Sequence, residues 1–78
     1  MDEYIGMIKL FSGTYPPKYW AFCDGQILSV RMNAALYSIL GTNYGGDGIN
    51  TFMLPKIDSG VEDVKYIICT MGIYPPRD

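Results

Sequence analysis

The stretch Ala35-Leu36-Tyr37-Ser38-Ile39-Leu40-Gly41-Thr42-Asn43-Tyr44-Gly45-Gly46-Asp47-Gly48-Ile49-Asn50-Thr51-Phe52-Met53-Leu54-Pro55 decides the fold. Its apolar spacing changes twice. Met32, Leu36, Ile39 and Leu40 recur at helical spacing and predict one apolar helix face, with the helix over residues 30–40. Ser29 precedes it as a candidate N-cap, because a serine hydroxyl accepts a bond from an unpaired first-turn amide. Gly41 stands where a helix ends in a left-handed residue. Residues 42–50 are glycine-rich and predict a loop, in which Gly45, Gly46 and Gly48 open backbone angles closed to other residues. Thr51-Phe52-Met53-Leu54 then reads as a short extended run stopped by Pro55.

Strands are predicted on both sides of this stretch. Residues 4–11 are rich in β-formers and end at Ser12-Gly13 before Tyr15-Pro16-Pro17. Trp20-Ala21-Phe22-Cys23 is a short strand closed by Asp24-Gly25, a turn signal. Gln26-Ile27-Leu28 follows it, which predicts a hairpin over residues 20–28. Residues 65–71 are nearly continuous in apolar character and predict a central strand covered on both faces. Residues 56–63 read as a surface connection. The expected fold class is α+β: a small, mostly antiparallel sheet with one packed helix and a glycine-rich loop. The domain expected over 1–78 divides into strands and hairpin (4–28), helix (30–40), glycine loop (42–50), and final strand with its proline corner (64–74).

Gly13-Thr14-Tyr15-Pro16-Pro17-Lys18 after the first strand is echoed by Gly72-Ile73-Tyr74-Pro75-Pro76-Arg77 after the last. Two prolines in a row remove ladder donors, so each corner is expected to stop its strand from pairing further. The alternative is coincidence among common turn residues.

Composition narrows the functions. The 78 residues are 18% charged, carry a net charge of −2, and include no His and two Cys. Without His there is no Ser-His-Asp or Cys-His catalysis and no His-containing zinc site. The six basic residues are scattered, so nucleic acid is not an expected partner. No apolar run approaches the roughly 20 residues of a membrane span, and Asp2 and Glu3 are unlike the start of a signal peptide, so synthesis in the cytoplasm is expected. Burial of apolar surface on folding amounts to on the order of 120 kcal/mol, and ordering the chain costs about the same. So small a margin favours association, as do a low charge and many tyrosines.

The candidate chemical sites reduce to turn chemistry. The Gly45-Gly46-Asp47-Gly48 loop lacks the Gly-Lys-Ser/Thr of a phosphate loop, and no helix follows it. Asn43, Asp47 and Asn50 lack the alternation and closing Glu of a calcium loop. Asp24 and Asp47 are each followed by Gly and read as turn residues before they read as an acid/base pair. Trp20 and Phe22 read as core, with a ligand platform as the alternative. Cys23 and Cys69 are either a disulfide closing about 46 residues or two buried thiols; their apolar surroundings favour thiols. No cofactor, metal or enzymatic activity is expected.

Trp20-Ala21-Phe22-Cys23-Asp24-Gly25-Gln26 resembles the W-x-x-C-D-G-Q/R signature of the phage tail collar domain. Residues 35–48 resemble its A-L-[FY]-x-[LI]-[LI]-G-T-x-Y-G-G-D-G block, and Thr51-Phe52-Met53-Leu54-Pro55 its T-F-x-L-P. The tail Tyr66-Ile67-Ile68-Cys69 with Gly72-Ile73-Tyr74-Pro75 is similar to the closing strand of the same group, which includes the small microcystin-dependent proteins of bacteria. One departure follows Pro55, where members usually continue into D-L-R-G-R and a long variable segment; here Lys56-Ile57-Asp58-Ser59-Gly60 leads almost directly to the last strand. The resemblance implies a scaffold built on Trp20, Cys23, Asp24, Gly25, Gly41, Gly45, Gly46, Asp47, Gly48 and Pro55. It implies a structural, self-assembling module of a phage tail, a tail-derived particle or a bacterial surface fibre, located in a virion tail or at a cell surface. The expected partners are copies of itself and other tail or fibre proteins. The other reading is a module for a glycan or peptide receptor. Tyr15, Tyr19, Tyr44, Tyr66 and Tyr74 are the candidate interface residues, and a strand edge from residues 4–11 or 65–71 is the expected means of joining.

Overall fold

The computed structural model describes residues 3–76. Five strands and one helix follow in the order β1 (Ile8–Phe11), β2 (Trp20–Phe22), β3 (Ile27–Ser29), α1 (Ala34–Leu40), β4 (Thr51–Met53) and β5 (Lys65–Cys69). They form two antiparallel sheets, one ordered β1-β5-β2 and the other β3-β4, so the fold is α+β.

The continuous apolar run becomes the central strand. Ile67, Ile68 and Cys69 are consecutive and all buried; neighbours along a strand point to opposite faces, so both faces of β5 are covered. Pairing sets Lys9 and Phe22 beside Ile67, and Ile8 and Ala21 beside Ile68. The face carrying Ile68 turns inward onto Leu36 of α1, Phe52 of β4 and Leu54, with Ile5 and Cys23 completing the buried cluster.

The sequence expectations need five corrections here. The hairpin over residues 20–28 does not form: β2 pairs with β5, and β3 pairs with β4. Asp24-Gly25 does turn the chain, but the turn passes it from one sheet to the other. The first strand begins at Ile8, because Gly6 has a φ of 93° and breaks the extended course. Tyr4, ahead of it, bridges instead to Ile73. The helix begins at Ala34, four residues later than its apolar spacing predicts. Ser29 Oγ accepts the Met32 amide at 3.2 Å, so the serine caps the turn over residues 30–33 that leads into the helix rather than the helix itself. Met32 is accordingly 81% exposed, and Leu36 is the buried helix residue.

The fourth correction concerns the second proline corner. It does not end pairing: Ile73 donates to Glu3 O and accepts from the Ile5 amide, both at 2.9 Å. Finally, Trp20 and Phe22 are half-buried and lie outside the buried cluster. They share the outer face of the sheet with Ile67 and Cys69. There Lys9 Nζ lies 5.8 Å from the Trp20 ring centre and Lys65 Nζ 5.0 Å from that of Phe22. These are cation–π contacts on a covering layer.

Candidate functional site

The first motif block is fastened to the segment that follows β4, and the second packs against β4 itself. The first is held by its own polar groups. Asp24 Oδ1 accepts the Gln26 amide at 3.1 Å, and Gln26 Nε2 donates back to Phe22 O at 3.0 Å. The turn is then fastened to the segment after β4, with Leu54 N–H donating to Gln26 O and Ile57 N–H to Cys23 O, both at 3.0 Å. Asp24 and Lys56 complete this as an isolated bridge. Gly25 faces the Lys56 side chain across the turn.

The second block brings the helix end and the glycine loop to the same strand. Gly41 has a φ of 59°, and its N–H donates to Tyr37 O. The chain leaves the helix there and folds back on β4. Met53 N–H donates to Gly45 O at 3.1 Å and Gly48 N–H to Thr51 O at 2.9 Å. Gly46 lies so close that a Cβ would meet Phe52 Cα and Thr51 O; its φ of 97° is also one that L side chains rarely adopt. Pro55 is buried where β4 ends.

Asp47 locks the loop. Its Oδ1 accepts the backbone amides of Ile49, Asn50 and Thr51 at 2.9, 2.8 and 2.9 Å. The Thr51 amide, then those of Ile49 and Asn50, stabilise the carboxylate and bring its pKa down from 3.8 to about 2. Sequence reading takes Asp47 as a turn residue and does not reveal this triple acceptance; the only signal is a run of amides following an Asp in a loop. Tyr37 is also missed. Its hydroxyl donates to Gly48 O at 3.1 Å, and its ring meets Phe52 edge-on with 5.3 Å between centroids, so the helix is tied to the loop through one side chain.

The cysteines are free and buried. Burial, and then the charge of Asp24, push the Cys23 thiol up to about 11; burial likewise raises Cys69. Both are neutral near pH 7 and poor nucleophiles. Among the described residues, no three Cys, Asp or Glu side chains gather to hold a metal ion.

The five candidate tyrosines have different settings. Tyr15 is 78% exposed in the first proline corner. Tyr19 is half-buried with Lys18 Nζ 5.0 Å from its ring centre, and Tyr44 is exposed in the glycine loop. Tyr66 is packed against the core, so its ring is part of the interior packing. The Tyr74 hydroxyl is 2.6 Å from Ser38 Oγ, which fastens the second corner to the helix. Among the described residues no helix is long and apolar enough to cross a membrane.

No curated protein matches the chain. The family model described as Phage Tail Collar Domain matches residues 6–61. That match takes in all three motif blocks and well over half of the sequence, and the chain belongs to the phage tail collar domain family.

Proposed function

We propose that the chain is a structural, self-assembling module of a phage tail, a tail-derived particle or a bacterial surface fibre. Its family membership is the observation that carries this reading. The motif residues support it, because their polar groups are spent on turns, caps and loop closure. Asp24 and Asp47 hold backbone amides, and the two thiols are buried and neutral. The surface supports it too. The chain exposes 5458 Å², against about 4,700 Å² expected for a compact monomer of this mass. Leu10, Ile27, Met32, Ile49 and Val61 are among the large apolar side chains left open. Such a surface gains by burial against copies of the chain or other tail proteins.

Electron microscopy of the purified protein tests this. Rings, fibres or discrete oligomers are expected; dispersed single particles at high concentration would contradict it. The exposure of Tyr15 and Tyr44 favours a second reading, in which the chain binds a glycan or peptide receptor through tyrosine, a residue with large contact area and low entropy cost. A glycan or cell-wall pull-down lost in Tyr44→Ala, with assembly intact, would support that reading over the first.

A further inference from the structure

The two edges of the three-stranded sheet are finished differently. At β2, two of the four outward backbone groups of Trp20 and Phe22 are used within the chain: Trp20 N–H donates to Pro17 O at 3.0 Å, and Phe22 O accepts from Gln26 Nε2. At β1 they are open. The Cys69 amide donates to Met7 O at 2.9 Å, so by the alternation of an antiparallel ladder Lys9 and Phe11 face β5, while the backbone groups of Ile8 and Leu10 face outward. Outside the ladder, no hydrogen bond among the described residues reaches those groups. The side chains are open as well, Ile8 at 38% and Leu10 at 57%.

We propose that two copies of the chain join antiparallel through this edge, β1 against β1, with Leu10 beside Leu10 of the second copy. The proposal rests on the self-assembly reading and names its contact. Charge selects the occupant. Lys9 is the one charged residue of β1, and it is already paired with Glu3, so the edge carries little net charge with which to attract a charged peptide. An apolar, self-complementary strand suits it better.

Charge and backbone geometry also select the register. Pairing centred on Lys9 would set two ammonium groups face to face across a closely spaced pair, which is destabilising. Pairing centred on Ile8 would bring Leu10 of the second copy opposite Gly6, whose amide already donates to Cys69 O and whose φ is not that of a strand. Pairing centred on Leu10 avoids both. It sets Ile8 opposite Ser12 and Lys9 opposite Phe11, a ring for the lysine to lie against as it already does with Trp20.

Single cysteines in the full chain test this, read on non-reducing gels after mild oxidation, with sedimentation of the unmodified protein alongside. Directly opposed residues lie about 5.5 Å apart at Cα in a hydrogen-bonded pair, within disulfide reach. Leu10→Cys is expected to run mostly as a covalent dimer. Ile8→Cys, displaced from its own copy along the strand, is expected to run as monomer. The native thiols are buried and give a low background. Assembly in sedimentation without the Leu10→Cys dimer, or with an Ile8→Cys dimer in its place, overturns the edge or its register and leaves self-assembly standing. A sedimentation record showing only monomer overturns both.

Discussion

The glycine loop and the β1 strand differ in a way that runs against their appearance. The loop over residues 42–50 has almost no regular structure, yet much of its backbone is bonded within the chain. Asp47 takes three amides, β4 takes two more contacts, and Tyr37 holds Gly48 from the helix. β1 has regular strand geometry but completes one side only, leaving Ile8 and Leu10 open in backbone and side chain. Regular geometry and completion are separate properties. Where a chain spends several polar groups on an irregular loop, that loop is framework. Where it leaves a strand edge open, the edge awaits a partner.

Breaking the loop should cost far more stability than altering β1. Phe52 is wholly buried under both loop and helix, and Phe52→Ala is expected to lower unfolding stability by about 3–5 kcal/mol in chemical denaturation. Gly46→Ala comes next, at about 2 kcal/mol or more, because the new Cβ meets β4 backbone at a strained φ; a loss under about 0.5 kcal/mol would show that the close approach is not required.

Asp47→Asn sharpens the comparison through pH. The folded carboxylate titrates near 2, below its ordinary 3.8. Its contribution is therefore complete above about pH 4 and is lost as pH falls toward 2. The variant should melt lower at pH 7, and its melting temperature should fall less between pH 4 and pH 2 than that of the parent. Equal slopes would mean that the carboxylate charge is not what holds the amides. The smallest stability effect is expected at the open edge. Leu10→Lys should change unfolding stability by no more than about 0.5 kcal/mol, as an exposed substitution, while weakening self-association at least tenfold in sedimentation.

Much of this arrangement was legible in the residues. β5 declared itself by a nearly continuous apolar run, which a doubly covered strand accommodates. Gly41 and the glycines after it marked the helix end and the loop. Strand partners were less legible. Asp24-Gly25 states that the chain turns but not which strand receives it, so a hairpin and a crossing between sheets look alike. Ser29 was misleading for a similar reason: its hydroxyl caps a turn that precedes a helix as readily as the helix itself. Trp20 carries the size of a core residue, yet its place on a strand puts it on the outer face under a lysine. That layer has a period-two signature, since Lys9 and Phe11, Trp20 and Phe22, and Lys65 and Ile67 alternate in step, but it becomes visible only once the pairing is known. In the site itself, the triple acceptance by Asp47 was hidden because Asp-Gly reads the same in any turn.

Amide hydrogen exchange measured residue by residue by NMR, at rising protein concentration, tests the contrast most directly. The amides of Ile49, Asn50 and Thr51 should be protected at every concentration, because the chain satisfies them itself. Those of Ile8 and Leu10 should exchange freely in dilute protein and become protected as copies join. Ile8 and Leu10 amides that stay unprotected at high micromolar concentration, or loop amides that exchange freely throughout, would contradict the account.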